Sequence, residues 1–441
     1  MDRVVVWSLA VAVAGFLFGF DTAVISGADQ PLQRLWETSD LFHGAFVMSS
    51  ALWGTVIGAL LGNIPSDRLG RRRTLVGVGL LYLASAAGCA GAPGPGFFAA
   101  MRFIGGLGVG ISSIVVPAYI SEVAPAGMRG RLVALYQFQI VFGILVAFLS
   151  NFVLSEYLLL DWRWMLGVEA IPAAAFLAMI ARVPESPRWL LLHRGDEAAS
   201  RRVLAVSDPE RVDETVAEIR MAETDLPDRH LFRRAYRKPI LLAFTVALFN
   251  QLSGINFIIY FAPRVFELAG LDTSASLLST AGVGLVNLVT TLVGMYLIDR
   301  AGRRFLLLIG SVGYIISLGA VSWAFGADAG GTPVVLFVFL FIASHAVGQG
   351  AVIWVWIAEI FPNSVRARGQ SLGSGTHWVA AASIALLMPY FLGRFQPEDI
   401  FAFFCAMMVL QLLFVLFLMP ETRGRTLESL AEELSGSQPD R

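Results

Sequence analysis

Gly62 to Arg72 reads GNIPSDRLGRR, and Gly294 to Arg304 reads GMYLIDRAGRR. The second copy follows the first by 232 residues, counted from Asp67 to Asp299. Two further pairs repeat at nearly the same spacing. Glu122-Val-Ala-Pro-x-x-x-Arg129 returns as Glu359-Ile-Phe-Pro-x-x-x-Arg366 after 237 residues, and the PES at Pro184 returns as PET at Pro420 after 236. Three motifs at one offset mean an internal duplication. Each copy of the first stretch lies where one long apolar segment ends and the next begins, which makes it a tight basic turn between two membrane helices. The chain therefore reads as two similar membrane halves.

Working outward from those turns, the composition agrees. The chain is 56% hydrophobic and 15% charged, and its apolar runs have the roughly 20 residues needed to cross about 30 Å of hydrocarbon. Spans are expected at 4–28, 42–64, 73–91, 97–120, 131–154 and 162–183, and again at 239–262, 274–298, 304–325, 333–358, 367–393 and 399–419. An A-x-A at Ala12 to Ala14 resembles a cleavage site, but the apolar run continues past it and more spans follow. The expected fold is all-α, with twelve transmembrane helices in two six-helix pseudo-repeats embedded in a lipid bilayer. Its domains are a first bundle over 1–183, a polar helical linker over 184–238, a second bundle over 239–420 and a tail over 421–441. Within the linker, 195–204 and 209–223 carry charged, helix-compatible patterns.

Arginine sets the orientation. The loops between spans 2 and 3, 4 and 5, 8 and 9, and 10 and 11 hold eleven arginines (Arg68, Arg71 to Arg73, Arg129, Arg131, Arg300, Arg303, Arg304, Arg366 and Arg368), whereas the opposite loops hold three, Arg34, Arg264 and Arg394. The positive-inside rule then places both termini and the linker in the cytoplasm, with the two halves as parallel repeats. The net charge of −1 hides this segregation and leaves no basic face for nucleic acid. Cys89 and Cys405 fall inside apolar spans, where a thiol acts as a small hydrophobe. The five histidines, His43, His193, His230, His345 and His377, are scattered without ligand spacing, so neither metal nor cofactor is expected.

Polar residues inside the spans are the candidate functional groups, because an unpaired charge at membrane depth costs from roughly 2.5 kcal/mol upward. Asp21, Arg102 and Glu169 stand out. At 1.5 Å per residue they lie roughly 8 to 10 Å below the outer ends of spans 1, 4 and 6, at one depth in one half. They are either a titratable set or a fixed ion pair that holds helices together. A second, uncharged set lies in the other half. Asn250, Gln251 and Asn256 on span 7, Asn287 on span 8, and His377 with Trp378 on span 11 offer paired donors and acceptors suited to vicinal hydroxyls. Trp354 and Trp378 offer flat apolar faces for the C–H side of a sugar ring, and interhelical glue is the alternative for any single amide. Gly254 in span 7 and Gly348 with Gly350 in span 10 weaken their helices locally. The run Gly105, Gly106, Gly108, Gly110 sits within span 4 with no preceding strand, and reads as helix packing rather than a phosphate loop.

Taken together, GxxxxDRxGRR in both halves, PAYISEVAPAGMRGRL at Pro117 to Leu132, PESPRWL at Pro184 to Leu190, NQLSGIN at Asn250 to Asn256 and PETRGRTLESL at Pro420 to Leu430 resemble the sugar porter family of the major facilitator superfamily, over almost the whole chain. The resemblance, which extends to the bacterial proton-coupled xylose and hexose symporters, implies a monosaccharide carrier of the inner membrane. It implies rocker-switch alternating access, a sugar site between the halves, a proton as coupling ion and no enzymatic activity, in a carrier expected to be monomeric. Gln137, Gln251, Asn256, Asn287, Trp354 and Trp378 fall on the family's sugar-contacting positions. Asn250 and His377 depart from its amide pattern, which leaves the choice of pentose or hexose open. Asp21, with Arg102 and Glu169, falls where proton-coupled members carry an acid and facilitative animal carriers carry asparagine. The resemblance also implies a cytoplasmic gate of Asp67, Arg71, Arg72, Glu122 and Arg131 in one half, and of Asp299, Arg303, Arg304, Glu359 and Arg366 in the other. Within it, Glu122 is expected to pair with Arg72 and Arg131, and Glu359 with Arg304 and Arg366. A facilitative uniporter and a transport-dead sugar sensor are the remaining readings; a channel would need a continuous polar lining, and an enzyme a nucleophile with its base or a metal cluster.

Overall fold

The computed structural model describes residues 3–125, 127–224, 230–362 and 364–425, with Leu430 and Leu434. Parts of the linker (225–229), of the PETRGRTLESL stretch (426–429) and most of the tail lie outside the described residues. All regular structure among the described residues is helical. Eleven helices are long and apolar enough to cross a membrane, and twelve when the bent pair Asp40–Met48 and Ser50–Leu61 counts as one span. In chain order they are α1 (Arg3–Leu35), that bent pair as α2, α3 (Arg71–Ala90), α4 (Pro95–Val123), α5 (Arg129–Glu156) and α6 (Trp162–Ile180). After the linker come α7 (Arg234–Leu268), α8 (Thr273–Ala301), α9 (Arg303–Gly326), α10 (Gly331–Glu359), α11 (Arg366–Leu392) and α12 (Pro397–Phe417). This is the expected order of six spans, linker and six spans.

Helix α1 continues well past the expected end of span 1. Gln30, Gln33 and Arg34 end the apolar run in the sequence, yet Gln30 bonds Glu267 at 2.6 Å and Gln33 bonds Asp40 at 2.8 Å. Polar side chains with partners can extend a helix that water would otherwise claim. By its contacts the chain divides into two compact units, Met1–Ala28 with Ser50–Pro227, and Asp29–Ser49 with Asp228–Arg441. The outer turns of α1 and the start of α2 thus belong with the second unit.

In the first unit, α2 and α4 are pressed backbone to backbone. A Cβ on Gly106 would fall on the Ala51 carbonyl, and one on Gly110 on the Thr55 carbonyl. The glycine run of α4 is therefore a packing seam, as expected of small residues between membrane helices. The linker adds the helices Pro187–Leu192, Glu197–Ser207 and Val212–Thr224, capped by Ser186 and Asp196 and packed on Leu191, Leu204 and Val216. Trp189 docks this layer onto the repeated turn by donating its Nε1–H to the Asp67 carbonyl at 2.7 Å.

In the second unit two spans are interrupted where glycine weakens them. Gly254 adopts a left-handed conformation (φ 84°) and splits α7 into Arg237–Leu252 and Ile255–Leu268. Ser253 stitches the break, donating to Asn250 O at 2.6 Å and accepting from Ile255 N–H at 3.3 Å. Helix α10 widens into a π turn over Ala346–Gly350. There Gln349 donates to Gln411, which donates to Ser311 at 2.8 Å.

The repeated turns share one construction. Gly70 (φ 95°) and Gly302 (φ 94°) separate α2 from α3 and α8 from α9. Glu185 of PES accepts the N–H groups of Arg71 (2.8 Å) and Arg72 (3.1 Å). Glu421 of PET accepts those of Arg303 (3.1 Å) and Arg304 (3.0 Å). Each glutamate satisfies the free donors of a helix N-terminus and sits at its positive dipole end. A Cβ on Gly302 would come 2.8 Å from Glu421 Oε2, so glycine is required there by space as well as by φ.

Candidate functional site

In the first unit, Asp21 of α1 and Arg102 of α4 meet inside the bundle, each about 1% exposed. Arg102 Nη1 donates to Asp21 Oδ1 at 2.5 Å, and its Nη2 donates to the Asp21 carbonyl at 3.0 Å. Glu169 is equally buried, between the two pieces of α6, and interacts electrostatically with both Asp21 and Arg102. Glu169 Oε1 has no hydrogen-bond partner among the described residues. One guanidinium balances one carboxylate, so a proton on the other acid removes the remaining buried charge. The arrangement is a buried set of two acids and one guanidinium with one strong ion pair. Gln137 lies half-buried on α5 of the same unit.

The second unit gathers the amides. Gln251 is the hub. Its amide group donates to Asn250 Oδ1 at 3.0 Å and lies 3.1 Å from His377 Nδ1, while its carbonyl accepts from Asn256 at 3.0 Å. His377 stands edge-on between two indoles, 5.0 Å from the Trp354 ring and 4.8 Å from the Trp378 ring. Trp378 is buried and Trp354 is 37% exposed. Asn287, buried on α8, accepts from Thr291 of its own helix at 3.4 Å. The sequence-expected Asn250, Gln251, Asn256, His377, Trp354 and Trp378 thus form one cluster, brought together by the broken α7, by α10 and by α11. Its amides satisfy one another, and a polyhydroxylated solute can exchange each amide–amide bond for an amide–hydroxyl one at small net cost.

The basic turns carry the third group, with partners that correct the expected ones. Glu122 pairs with Arg71, not with Arg72 or Arg131, at 3.0 and 3.1 Å in a bidentate contact. Glu359 pairs with Arg303, not with Arg304, at 2.9 and 3.2 Å. The reason is the glycine before each helix. It sets the rotation of the first turn so that the first arginine of GRR points inward, where Asp67 (3.1 Å) and Asp299 (3.2 Å) one turn earlier also reach it. Successive helical residues diverge by about 100°. Arg72 and Arg304 accordingly turn away and donate to carbonyls of Ala181 and Leu416. Arg366 donates to Phe361 O and joins Arg303, Glu359 and Thr422 around a cavity of about 380 Å³. Burial pushes the Glu421 carboxyl up, but four backbone N–H groups, of Arg423, Arg303, Arg304 and Thr422, outweigh it and hold the group below the usual carboxylate range.

Sequence reasoning missed a fourth group, inside the second unit. Buried Asp29 bonds buried His43 Nε2 at 2.9 Å and faces Arg264 at 3.6 Å. Arg264 also donates to Gln33 at 3.0 Å, and Thr38 lies 3.3 Å from His43 Nδ1. With Gln30–Glu267, these contacts fasten the outer turns of α1 and the start of α2 to α7.

Residues 7–434 match the family model described as Sugar (and other) transporter. Among curated relatives, the probable metabolite transport protein CsbC of Bacillus subtilis is 37% identical over 96% of this chain and 93% of its own. The D-xylose-proton symporter of Escherichia coli K12 is 33% identical over 96% of this chain and 94% of its own. A solved structure of the xylose transporter XylE from E. coli, in a partially occluded inward-open conformation, superposes with a TM-score of 0.86 at 32% identity, covering 97% of this chain and 100% of that one.

Proposed function

The chain belongs to the sugar (and other) transporter family, a multi-pass membrane family of carriers, and from that premise we propose that it is a proton-coupled monosaccharide symporter. The observation that carries this reading is the buried Asp21–Arg102–Glu169 triad, two acids sharing one guanidinium inside a membrane bundle. A carrier that only equilibrates sugar has no use for a second buried acid. The names of relatives that move xylose or arabinose with a proton support the same direction.

In this reading a proton taken up on Asp21 neutralises it and frees Arg102, whose guanidinium turns to Glu169. That exchange removes the strongest contact between α1 and α4 and lets the loaded carrier change access. Sugar hydroxyls exchange with the mutual bonds of Asn250, Gln251, Asn256 and His377, and Trp354 and Trp378 hold the ring's apolar face. Gln137 and Asn287 complete the recognition set. The ion pairs Arg71–Glu122–Asp67 and Arg303–Glu359–Asp299, with Arg72, Arg131, Arg304 and Arg366 beside them, form the cytoplasmic gate. The termini and linker face the cytoplasm, the functional bundles are 1–183 and 239–420, and the carrier works as a monomer with no cofactor other than the proton.

The test uses purified protein in proteoliposomes with an imposed proton gradient and labelled D-xylose, L-arabinose or D-glucose. Wild type accumulates at least one of them and acidifies the lumen as it does so. Asp21→Asn abolishes accumulation and retains counterflow. Uptake without proton movement, or accumulation that survives Asp21→Asn, replaces symport with facilitated diffusion.

A further inference from the structure

Below the triad, the first unit holds a series of buried hydroxyls set in an otherwise apolar core. Ser85 and Tyr82 lie one turn apart on α3, Ser112 on α4 and Tyr136 on α5, and all four are buried. A Cβ on Gly105 would come 2.5 Å from Ser85 Oγ and 3.4 Å from Asp21 Oδ1. The side chain absent at Gly105 is what lets this serine and the carboxylate share one neighbourhood. The Tyr82 hydroxyl lies 3.4 Å from Ser112 Oγ. The Tyr136 hydroxyl is buried and has no hydrogen-bond partner among the described residues, and its ring packs on Gly15, on the same helix as Asp21; Ser112 Oγ donates to the Val109 carbonyl at 2.9 Å.

Counted at 1.5 Å per residue from the helix ends at Arg3, Arg71, Val123 and Arg129, Asp21 lies roughly 27 Å in, Ser85 roughly 21 Å, Tyr82 and Ser112 each roughly 17 Å, and Tyr136 roughly 11 Å. The surrounding side chains are Leu17, Val78, Val109 and Val116. A buried hydroxyl left short of partners costs about 1 to 3 kcal/mol, and a core of this size could hold phenylalanine and alanine at these positions without that cost.

We propose that Ser85, Tyr82, Ser112 and Tyr136 are a relay that conducts the coupling proton between the Asp21–Glu169 carboxyls and the face of the first unit that bears the basic turns. This deepens the symport reading and rests on it. In release, the O–H bond of the Asp21 carboxyl breaks and Ser85 accepts that proton while passing on its own. Tyr82, Ser112 and Tyr136 repeat the exchange, with water bridging oxygens too far apart for a direct bond, and cytoplasmic water takes the last proton as hydronium. Each hydroxyl ends with the proton count it began with and must rotate before the next passage. Asp21, again ionised, closes on Arg102 in the contact seen here.

The test compares two assays in the same proteoliposomes, with whichever of D-xylose, L-arabinose and D-glucose wild type accumulates. Counterflow needs no net proton release, whereas gradient-driven uptake does. Tyr82→Phe with Ser112→Ala lowers gradient-driven uptake at least tenfold, leaves counterflow within twofold, and raises the solvent deuterium isotope effect on uptake. Ser112→Thr, which keeps the hydroxyl, retains wild-type uptake. Equal loss in both assays, including loss through misfolding, or rescue of uptake by Ser112→Val as well as by Ser112→Thr, assigns the residues to packing and overturns the relay. So does unchanged uptake in the double variant and in Tyr136→Phe. If wild type itself moves no proton, the symport reading fails first, and that result is separate from a coupled wild type whose relay variants behave normally.

Discussion

The two units carry the same D-R-x-G-R-R turn of a duplicated sequence, yet the polar clusters in their interiors differ in chemistry. The first buries charge, with Arg102 locked to Asp21 and Glu169 beside them. The second buries neutral amides around Gln251 and two indoles around His377, and keeps its buried charge apart from them, in the Asp29–His43–Arg264 group. Charge in a low-dielectric interior responds strongly to a single proton, whereas an amide network exchanges partners at little net cost. If the proposed function holds, the first interior serves energy coupling and the second the recognition of hydroxyls, within one duplicated fold.

The comparison breaks most sharply if charge is left unbalanced in the first unit. Arg102→Ala strands two buried acids and is expected to destabilise the protein by about 3 to 5 kcal/mol, as loss of one partner of a buried pair does. Thermal unfolding in detergent measures it, and adding Asp21→Asn to Arg102→Ala should restore part of the loss. An unchanged melting temperature in Arg102→Ala would mean that the pair is not desolvated.

In the second unit the same kind of deletion should weaken binding while sparing the fold. Gln251→Ala is expected to cost about 0.5 to 1.5 kcal/mol of sugar affinity, or roughly 2- to 12-fold in Kd. Titration calorimetry with the accumulated sugar reads this directly, and gradient coupling, measured as protons per sugar, should stay the same. A changed stoichiometry would erase the division between the units.

The basic turns test whether the halves are equivalent where they look alike. Glu122→Gln and Glu359→Gln each weaken a bidentate arginine contact whose side chains are no more than 25% exposed, a net effect of about 1 kcal/mol. Both should raise the labelling of cysteines placed at the face that bears the basic turns in a cysteine-free background, and Arg72→Ala should do so less than Arg71→Ala. A larger effect from Arg72 would favour the pairing expected from the family resemblance over the one found.

The smallest effect concerns Glu421. Its carboxyl is held below the ordinary value of 4.5 by backbone N–H donors, so its contribution is whole above that value and is lost as the pH falls through the lower folded pKa. The melting temperature of Glu421→Gln should therefore lie slightly below wild type near neutral pH, and the gap should close on acidification below about pH 4.

Much of the site was legible in the sequence because charges in apolar runs are conspicuous. Asp21, Arg102 and Glu169 announced themselves by depth alone, and the amides of α7 with His377 and Trp378 by their density. The outer group of Asp29, His43 and Arg264 was not, since polar residues at the end of an apolar run read as loop until their partners on α7 are known. Glu185 and Glu421 were visible as a repeat but not as caps, because a cap is a relation between two segments, here separated by more than a hundred residues.

Repeated motifs, periodicity and composition, all local properties, determined the duplication, the order of the spans and the polar residues that stand out within them, Asp21, Arg102, Glu169 and the amides of α7. The tertiary structure decided which arginine of each GRR reaches its glutamate, that Gln251 is the hub of the amide cluster, and that the outer turns of α1 belong with the second unit. Those outcomes depend on helix rotation, on the breaks at Gly254 and Ala346–Gly350, and on backbone approach at glycine seams. Such quantities are set jointly by many side chains distant in sequence, so no single stretch of the chain contains them.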